Sequence, residues 1–247
     1  MRGAHMFWHE ALAPWMIDPE IGPAGAKAFL KNHAKNLTAK FPTIRTWNVV
    51  NEAISDGSVL RDSVWKRQLG DSWVTEAFRA ARDAGAVQLF YNDYGTDFPD
   101  DDKTKAVFRL VSALKRDGLI DGIGFQAHIS SQRIPSVDEL VRNYRQFASL
   151  GLEVHVTELD FLRCNDEDCR KNKAPMIAYN IAAACRQVQA CKSISVWGLN
   201  QDSSWVHPRN IHPSMSGDES LFPLLLNDAF QPEPAYDAML RALNSDF

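Results

Sequence analysis

No apolar run in this chain approaches the roughly 20 residues needed to span a bilayer, and the opening residues Met1-Arg2-Gly3-Ala4-His5 lack the apolar core of a signal peptide. A soluble protein with no membrane partner is expected. There is no basic block either: 27 Lys plus Arg stand against 31 Asp plus Glu, for a net charge of -4. Nothing here can track a phosphate backbone, and nucleic acid is not an expected partner. His, Cys and Asp do not cluster at zinc-ligand spacing, so no metal site is expected. Cysteine is scarce, with four residues in two close pairs, Cys164 with Cys169 and Cys185 with Cys191. Two local disulfides formed in an oxidising compartment is the preferred reading; four reduced, partly buried thiols is the alternative. The chain also lacks any Pro/Gly/Ser-rich linker or low-complexity stretch, and its longest irregular segment, 207–221, follows the last predicted strand. Length alone fits one barrel or two small domains; the missing linker favours a single domain over residues 1–247.

What is present alternates. Short β-rich runs at 4–8, 44–50, 87–91, 122–126, 153–157 and 193–197 are separated by helical stripes at 25–41, 64–84, 103–116, 137–149, 175–191 and 234–243. In the first helix Phe29, His33, Leu37 and Phe41 recur every fourth residue along one face. Strict strand–helix alternation predicts a parallel sheet wound by crossover helices, an α/β fold. Polar residues then collect at strand ends: His9, Asn51 with Glu52, Asn92 with Asp93, Gln126 with His128, Glu158 with Asp160, and Trp197. In a closed α/β barrel those ends form one rim, where such barrels carry their chemistry.

Two of these ends share a layout. Trp47-Asn48-Val49-Val50-Asn51-Glu52 and Glu153-Val154-His155-Val156-Thr157-Glu158 are both β-rich runs that deliver a glutamate where the chain leaves the sheet. Cleaving a sugar acetal with retention needs one carboxylic acid to protonate the leaving oxygen, and a second carboxylate about 5–5.5 Å away to attack the anomeric carbon. A single strand-end glutamate is as readily a solvated loop residue. The pair, with Asn51 beside Glu52 as a donor suited to a sugar 2-hydroxyl, points to acid/base and nucleophile.

The motifs RGAHMFWH at 2–9, WNVVNEAI at 47–54, NDYG at 92–95, GIGFQAHI at 122–129, VTELD at 156–160 and VWGLNQDSSW at 196–205 come in register over nearly the whole chain. They resemble those of the family 10 glycoside hydrolases, whose members are mostly endo-β-1,4-xylanases on a (β/α)8 barrel. The resemblance implies Glu52 as acid/base, Glu158 as nucleophile, and Asn51 as the group holding the 2-hydroxyl. It implies His128 as the histidine bonded to the nucleophile; Asp160, two residues beyond Glu158 on the same strand end, is placed to orient that imidazole, and a purely structural His–Asp pair is the alternative. By the same likeness His9, Gln126, Asn92 and Tyr94 line the cleft, Tyr94 as a platform on the leaving-group side. Trp197 and Trp205 are likened to the tryptophans on which a sugar lays its apolar face, whereas Trp47 and Trp8 read as core. The pair Cys185 and Cys191 matches one commonly bridged in the family, which adds weight to an extracellular address. No cofactor is implied.

Several positions depart from the pattern. Gly95 stands for an asparagine, Ala127 for a serine, Glu10-Ala11 for a serine–glutamine pair, and Gln201-Asp202-Ser203 for an acidic–basic–aromatic run, so contacts beyond the cleaved sugar are expected to differ. The chain opens on what resembles the family's third strand, so an incomplete barrel of six βα units is expected. The closing segment from Leu224-Leu225-Leu226-Asn227-Asp228 to Pro234-Ala235-Tyr236 resembles the family's own. Xylan and xylo-oligosaccharides are the partners implied; a β-1,4-glucan substrate and a non-catalytic xylan-binding remnant are the competing expectations.

Overall fold

The computed structural model describes residues 1–10, 12–13, 21–206 and 221–245. The irregular stretch expected at 207–221 thus lies, but for Leu221, outside the described residues, as does Ala11. The chain packs as two compact units. The first comprises Met1–Thr96, Asp100–Gly124 and Ser149–Glu153, and the second comprises Asp97–Pro99, Phe125–Ala148 and Val154–Phe247.

In the first unit, β1 (Arg2–Gly3), β2 (Thr46–Asn51), β3 (Gln88–Asp93) and the start of β4 (Gly122–Phe125) lie side by side in that order. β1 pairs parallel with β2, and β2 with β3, in a register that sets Asn51 level with Asn92. The expected first strand at 4–8 is not a regular strand; the paired segment lies just before it, at Arg2–Gly3. Regular pairing stops at Gly3, the Ala4–His5 peptide is cis, and the chain then rejoins β2 through Met6 and Phe7. From the second residue on, β2 and β3 are buried without interruption, the pattern of strands covered on both faces.

The helices of this unit are α1 (Gly22–Lys40), α2 (Val64–Leu69), α3 (Trp73–Asp83) and α4 (Asp102–Arg116). A proline at its first positions starts α1, while Pro42, just beyond the Phe41 cap, disfavours its continuation. Its buried stripe is Ala26, Leu30 and Ala34, one position off the expected stripe of Phe29, His33 and Leu37, and Phe41 is exposed. Small alanines let α1 approach α3 closely, so they take the core face while the larger rings flank it. The single helix expected at 64–84 is broken. Ser63 caps α2, and Gly70 ends it at a φ of 71°, a left-handed turn open to glycine at little cost, before a 3-10 turn leads into α3.

The second unit carries β5 (His128–Ser130), most of β6 (Glu153–Leu162) and β7 (Cys191–Val196), with β6 pairing parallel to both neighbours. β5 is an addition to the six expected strands. Its helices are α5 (Val137–Ala148), α6 (Ala174–Gln187) and α7 (Pro234–Asn244). Phe125 meets the rings of Tyr144 and Phe147 of α5 at 5.0 and 5.3 Å. α6 and α7 pack on each other, and both bury alanines, among them Ala182 and Ala183 on α6 and Ala235 and Ala238 on α7. α6 stops short of the expected 191 because the Cys185–Cys191 disulfide folds the chain back directly into β7. Cys164 and Cys169 form the second disulfide, closing the loop after β6, and no described cysteine is free. No helix among the described residues is long and apolar enough to cross a membrane.

Close packing in the first unit rests on glycine: a Cβ added at Gly122 would overlap the Phe90 ring, and one at Gly3 the Trp47 indole. Gly122→Ala is therefore expected to cost about 1–3 kcal/mol of stability, the usual penalty of overpacking. Gly57→Ala, whose nearest neighbour is the Ser55 hydroxyl at 3.7 Å, should change it by less than about 0.5 kcal/mol. Chemical denaturation checks both, and two variants of equal stability would contradict this packing.

Candidate active site

The expected site residues fall into two groups, one in each unit. In the first, the register of β2 and β3 sets Asn51 beside Asn92 at the strand ends. The Asn92 amide donates to Asn51 Oδ1 at 2.8 Å, and the Asn51 amide donates to Glu52 Oε1 at 3.0 Å. Both asparagines are buried, while Glu52 is half-buried. Glu52 has a φ of 58°, a left-handed conformation that costs a residue with a Cβ on the order of 1–3 kcal/mol and persists only where its surroundings over-determine it. Here they do. Its N–H donates to the Asn92 carbonyl at 2.9 Å, and its own carbonyl accepts from Arg61 Nε at 2.9 Å.

His9 is half-buried, with Nε2 3.4 Å from Glu10 Oε1. Burial, and then the Arg61 charge, hold its imidazole below the usual histidine range against the opposing pull of Glu52. Tyr94, expected as an open platform, has one ring face occupied: Lys103 Nζ sits 3.1 Å from the ring centroid, a cation–π contact. Its hydroxyl donates to Asp56 Oδ1 at 2.6 Å and accepts from Arg61 Nη2 at 3.1 Å. Desolvation, and then the Asp56 carboxylate, push the Tyr94 phenol up to about 12.

Arg61, Lys103 and Asp56 were not legible as site residues, and Asp93 was marked only by its place at a strand end. Lys103 is buried, 3.1 Å from Asp93 Oδ1 and 3.6 Å from Asp56 Oδ1. Asp93 is also bonded by the Tyr91 hydroxyl, and burial pushes its carboxyl up to about 6 against the Lys103 charge. A charged residue in a helix or loop looks like ordinary surface in sequence; only Asp93, at a strand end, carried a signal.

In the second unit, parallel pairing sets His128 of β5 level with Asp160 of β6. His128 Nδ1 lies 2.8 Å from Asp160 Oδ1, and Nε2 lies 3.5 Å from Glu158 Oε2. Trp205 Nε1 donates to the other Asp160 oxygen at 2.7 Å, and its ring meets the His128 ring edge to face at 5.4 Å. Glu158 and Asp160 are buried. Burial works against the His128 charge, but the bonds to Asp160 and then Glu158 outweigh it and push the imidazole up to about 10. His128 is thus an imidazolium at neutral pH. Gln126 is buried beside it in sequence, at the end of β4, and Ala127 adopts a φ of 60°. Trp197 follows the end of β7 and is 41% exposed, and Trp205 is 46% exposed, so both retain open indole surface. Trp47, by contrast, is core, as expected, and Trp8 is half-buried, lining an apolar cavity of about 420 Å³ with Phe7, Phe29 and Trp65. Among the described residues no cluster of His, Cys, Asp and Glu is arranged to hold a metal ion.

Residues 1–242 match the family model of glycosyl hydrolase family 10. Endo-1,4-beta-xylanase A of Humicola insolens is 33% identical over 97% of this chain, which spans 63% of that relative, less than two thirds of its length. Xylanase 10B of Thermotoga petrophila, solved in complex with xylobiose, superposes with a TM-score of 0.87 at 32% identity, covering 98% of this chain and 73% of that one. An intracellular xylanase of Thermoanaerobacterium saccharolyticum, TsXylA, gives 0.81 at 30% identity, covering 97% and 75%. The fold class is accordingly that expected from the sequence, the (β/α) barrel type, present in part.

The raised His128 pKa has a sign. A histidine charged more readily folded than unfolded stabilises the fold fully below its ordinary pKa of about 6.5, and that contribution fades as pH rises toward about 10. The melting-temperature gap between the native chain and His128→Asn should be widest near pH 6 and narrow toward pH 10; a gap that does not vary with pH would contradict the imidazolium.

Proposed function

The chain belongs to glycosyl hydrolase family 10, and on that premise we propose that it hydrolyses internal β-1,4 linkages of xylan with net retention, acting as one catalytic domain. Glu158 is the nucleophile and Glu52 the acid/base. The observation that carries this reading is the Glu158–His128–Asp160–Trp205 chain of contacts. A buried carboxylate faced by an imidazolium, itself fixed by a second carboxylate, is a charged group held in one place, as an in-line attack requires.

The steps balance with the groups named. A Glu158 oxygen bonds to the anomeric carbon as the carbon–oxygen bond to the leaving sugar breaks, and the Glu52 proton goes to that oxygen. Water then gives a proton to Glu52 and its oxygen to the anomeric carbon, which releases Glu158. Asn51 is suited to the 2-hydroxyl of the reacting sugar, because its amide already points toward Glu52. His9, Asn92 and Gln126 supply polar lining. The exposed indoles of Trp197 and Trp205 offer flat apolar surface for pyranose rings. The xylobiose held by the Thermotoga petrophila relative supports xylan over other polymers. Two closed disulfides support an extracellular address.

Glu158→Ala should abolish reducing-sugar release from xylan, and Glu52→Ala should lower it on the order of 10²–10⁴-fold. Proton NMR of the first product should show the β anomer before mutarotation. Unchanged activity in both variants, or an initial α product, would remove the mechanism, and faster turnover of cello- than of xylo-oligosaccharides would assign a glucan instead.

A further inference from the structure

We propose that Arg61 is the positioning residue of the acid/base: its guanidinium fastens the backbone of Glu52 and the hydroxyl of Tyr94 to one rigid fork, so that proton donation to the leaving group depends on it. The inference rests on the assignment of Glu52 made above and extends it to a residue outside the strand ends.

The loop that leaves β2 at Glu52 returns at Arg61 through an antiparallel bridge between Ile54 and Leu60. Arg61 closes that loop from within. Its backbone N–H donates to the Ala53 carbonyl at 2.7 Å, Nε to the Glu52 carbonyl at 2.9 Å, and Nη2 to both the Ile54 carbonyl at 3.3 Å and the Tyr94 hydroxyl at 3.1 Å. The Glu52 peptide is therefore gripped on both sides, by Asn92 at its N–H and by Arg61 at its carbonyl. A residue at a φ of 58° relaxes when one grip is lost, and its side chain swings with the backbone.

The far side of the fork is equally fixed. Tyr94 is held by Asp56 through its hydroxyl, by Asp93 through its N–H at 2.9 Å, and by the Lys103 ammonium over its ring. Arg61 thus ties the acid/base to the ring offered to the departing sugar. Lysine cannot take this role whole, because a single ammonium lacks the planar set of donors that reaches two carbonyls and a phenol together.

Acid catalysis has a signature that separates positioning from mere stability. Departure of a sugar or a phenol needs a proton in the transition state, whereas 2,4-dinitrophenolate leaves without one. Kinetics of the full chain and of Arg61→Met on phenyl and 2,4-dinitrophenyl β-xylobiosides test this, with thermal unfolding of each protein recorded alongside. The expected result is a loss of kcat/KM on the order of tenfold or more on the phenyl substrate, and less than about threefold on the dinitrophenyl one. Arg61→Lys, which keeps the charge and serves if the methionine variant does not fold, should show the same skew at smaller size. Equal losses on both substrates, or none on either, would overturn the positioning role. A native chain that cleaves neither substrate removes the hydrolase reading, and this proposal with it.

Discussion

Two carboxylates lie buried two residues apart on β6, and a single imidazolium stands between them. Without the His128 charge, Glu158 and Asp160 would face each other's fields in a space with little water, where an unpaired ion costs several kcal/mol. With it, one positive charge is shared between the two acidic groups, and the Trp205 indole donates to the other Asp160 oxygen. This arrangement depends in turn on the register of β5 against β6. Shifting that pairing by one residue would turn His128 to the opposite face, so backbone pairing and charge balance are one constraint seen at two scales.

The first unit solves a different problem with different means. Glu52 is half-buried and strained, and it is held through its backbone rather than by a partner on its carboxylate alone. Amides, a guanidinium and a phenol do the holding. Such groups fix direction. In the proposed cycle Glu52 gives up a proton and takes it back, and neutral donors with a cation on its backbone fix its direction for that task. The burial of Lys103 extends this scaffold inward, since its ammonium satisfies Asp93 and braces Tyr94 at the same time.

Sequence carried much of this, and the reasons are physical. Strand–helix alternation and the polar residues at strand ends are periodic signals, so the two glutamates, both asparagines, His128 and Asp160 could be named from their positions. The cysteine pairs were legible because loops of five and six residues leave few other partners. Periodicity failed where one residue type overrides it. Gly70 breaks a continuous apolar stripe into two helices, and the alanines of α1 displace larger rings from the core because close helix approach needs small side chains. Arg61 and Lys103 were invisible for another reason. Their contacts come from how the chain turns back after β2 and β3, which no periodic signal reports, and in sequence neither residue differs from solvated charge.

The proposed double displacement requires that Glu158 become covalently bonded to sugar during turnover. A 2-deoxy-2-fluoro xylobioside with a good leaving group slows both steps of a double displacement but allows the first, so the glycosyl-enzyme accumulates. Mass spectrometry of the inactivated, protease-digested chain should find one disaccharide on the peptide that contains Glu158, with loss of activity matching the fraction labelled. Label on another residue, or a chain that hydrolyses xylan yet takes no label there, would contradict the account.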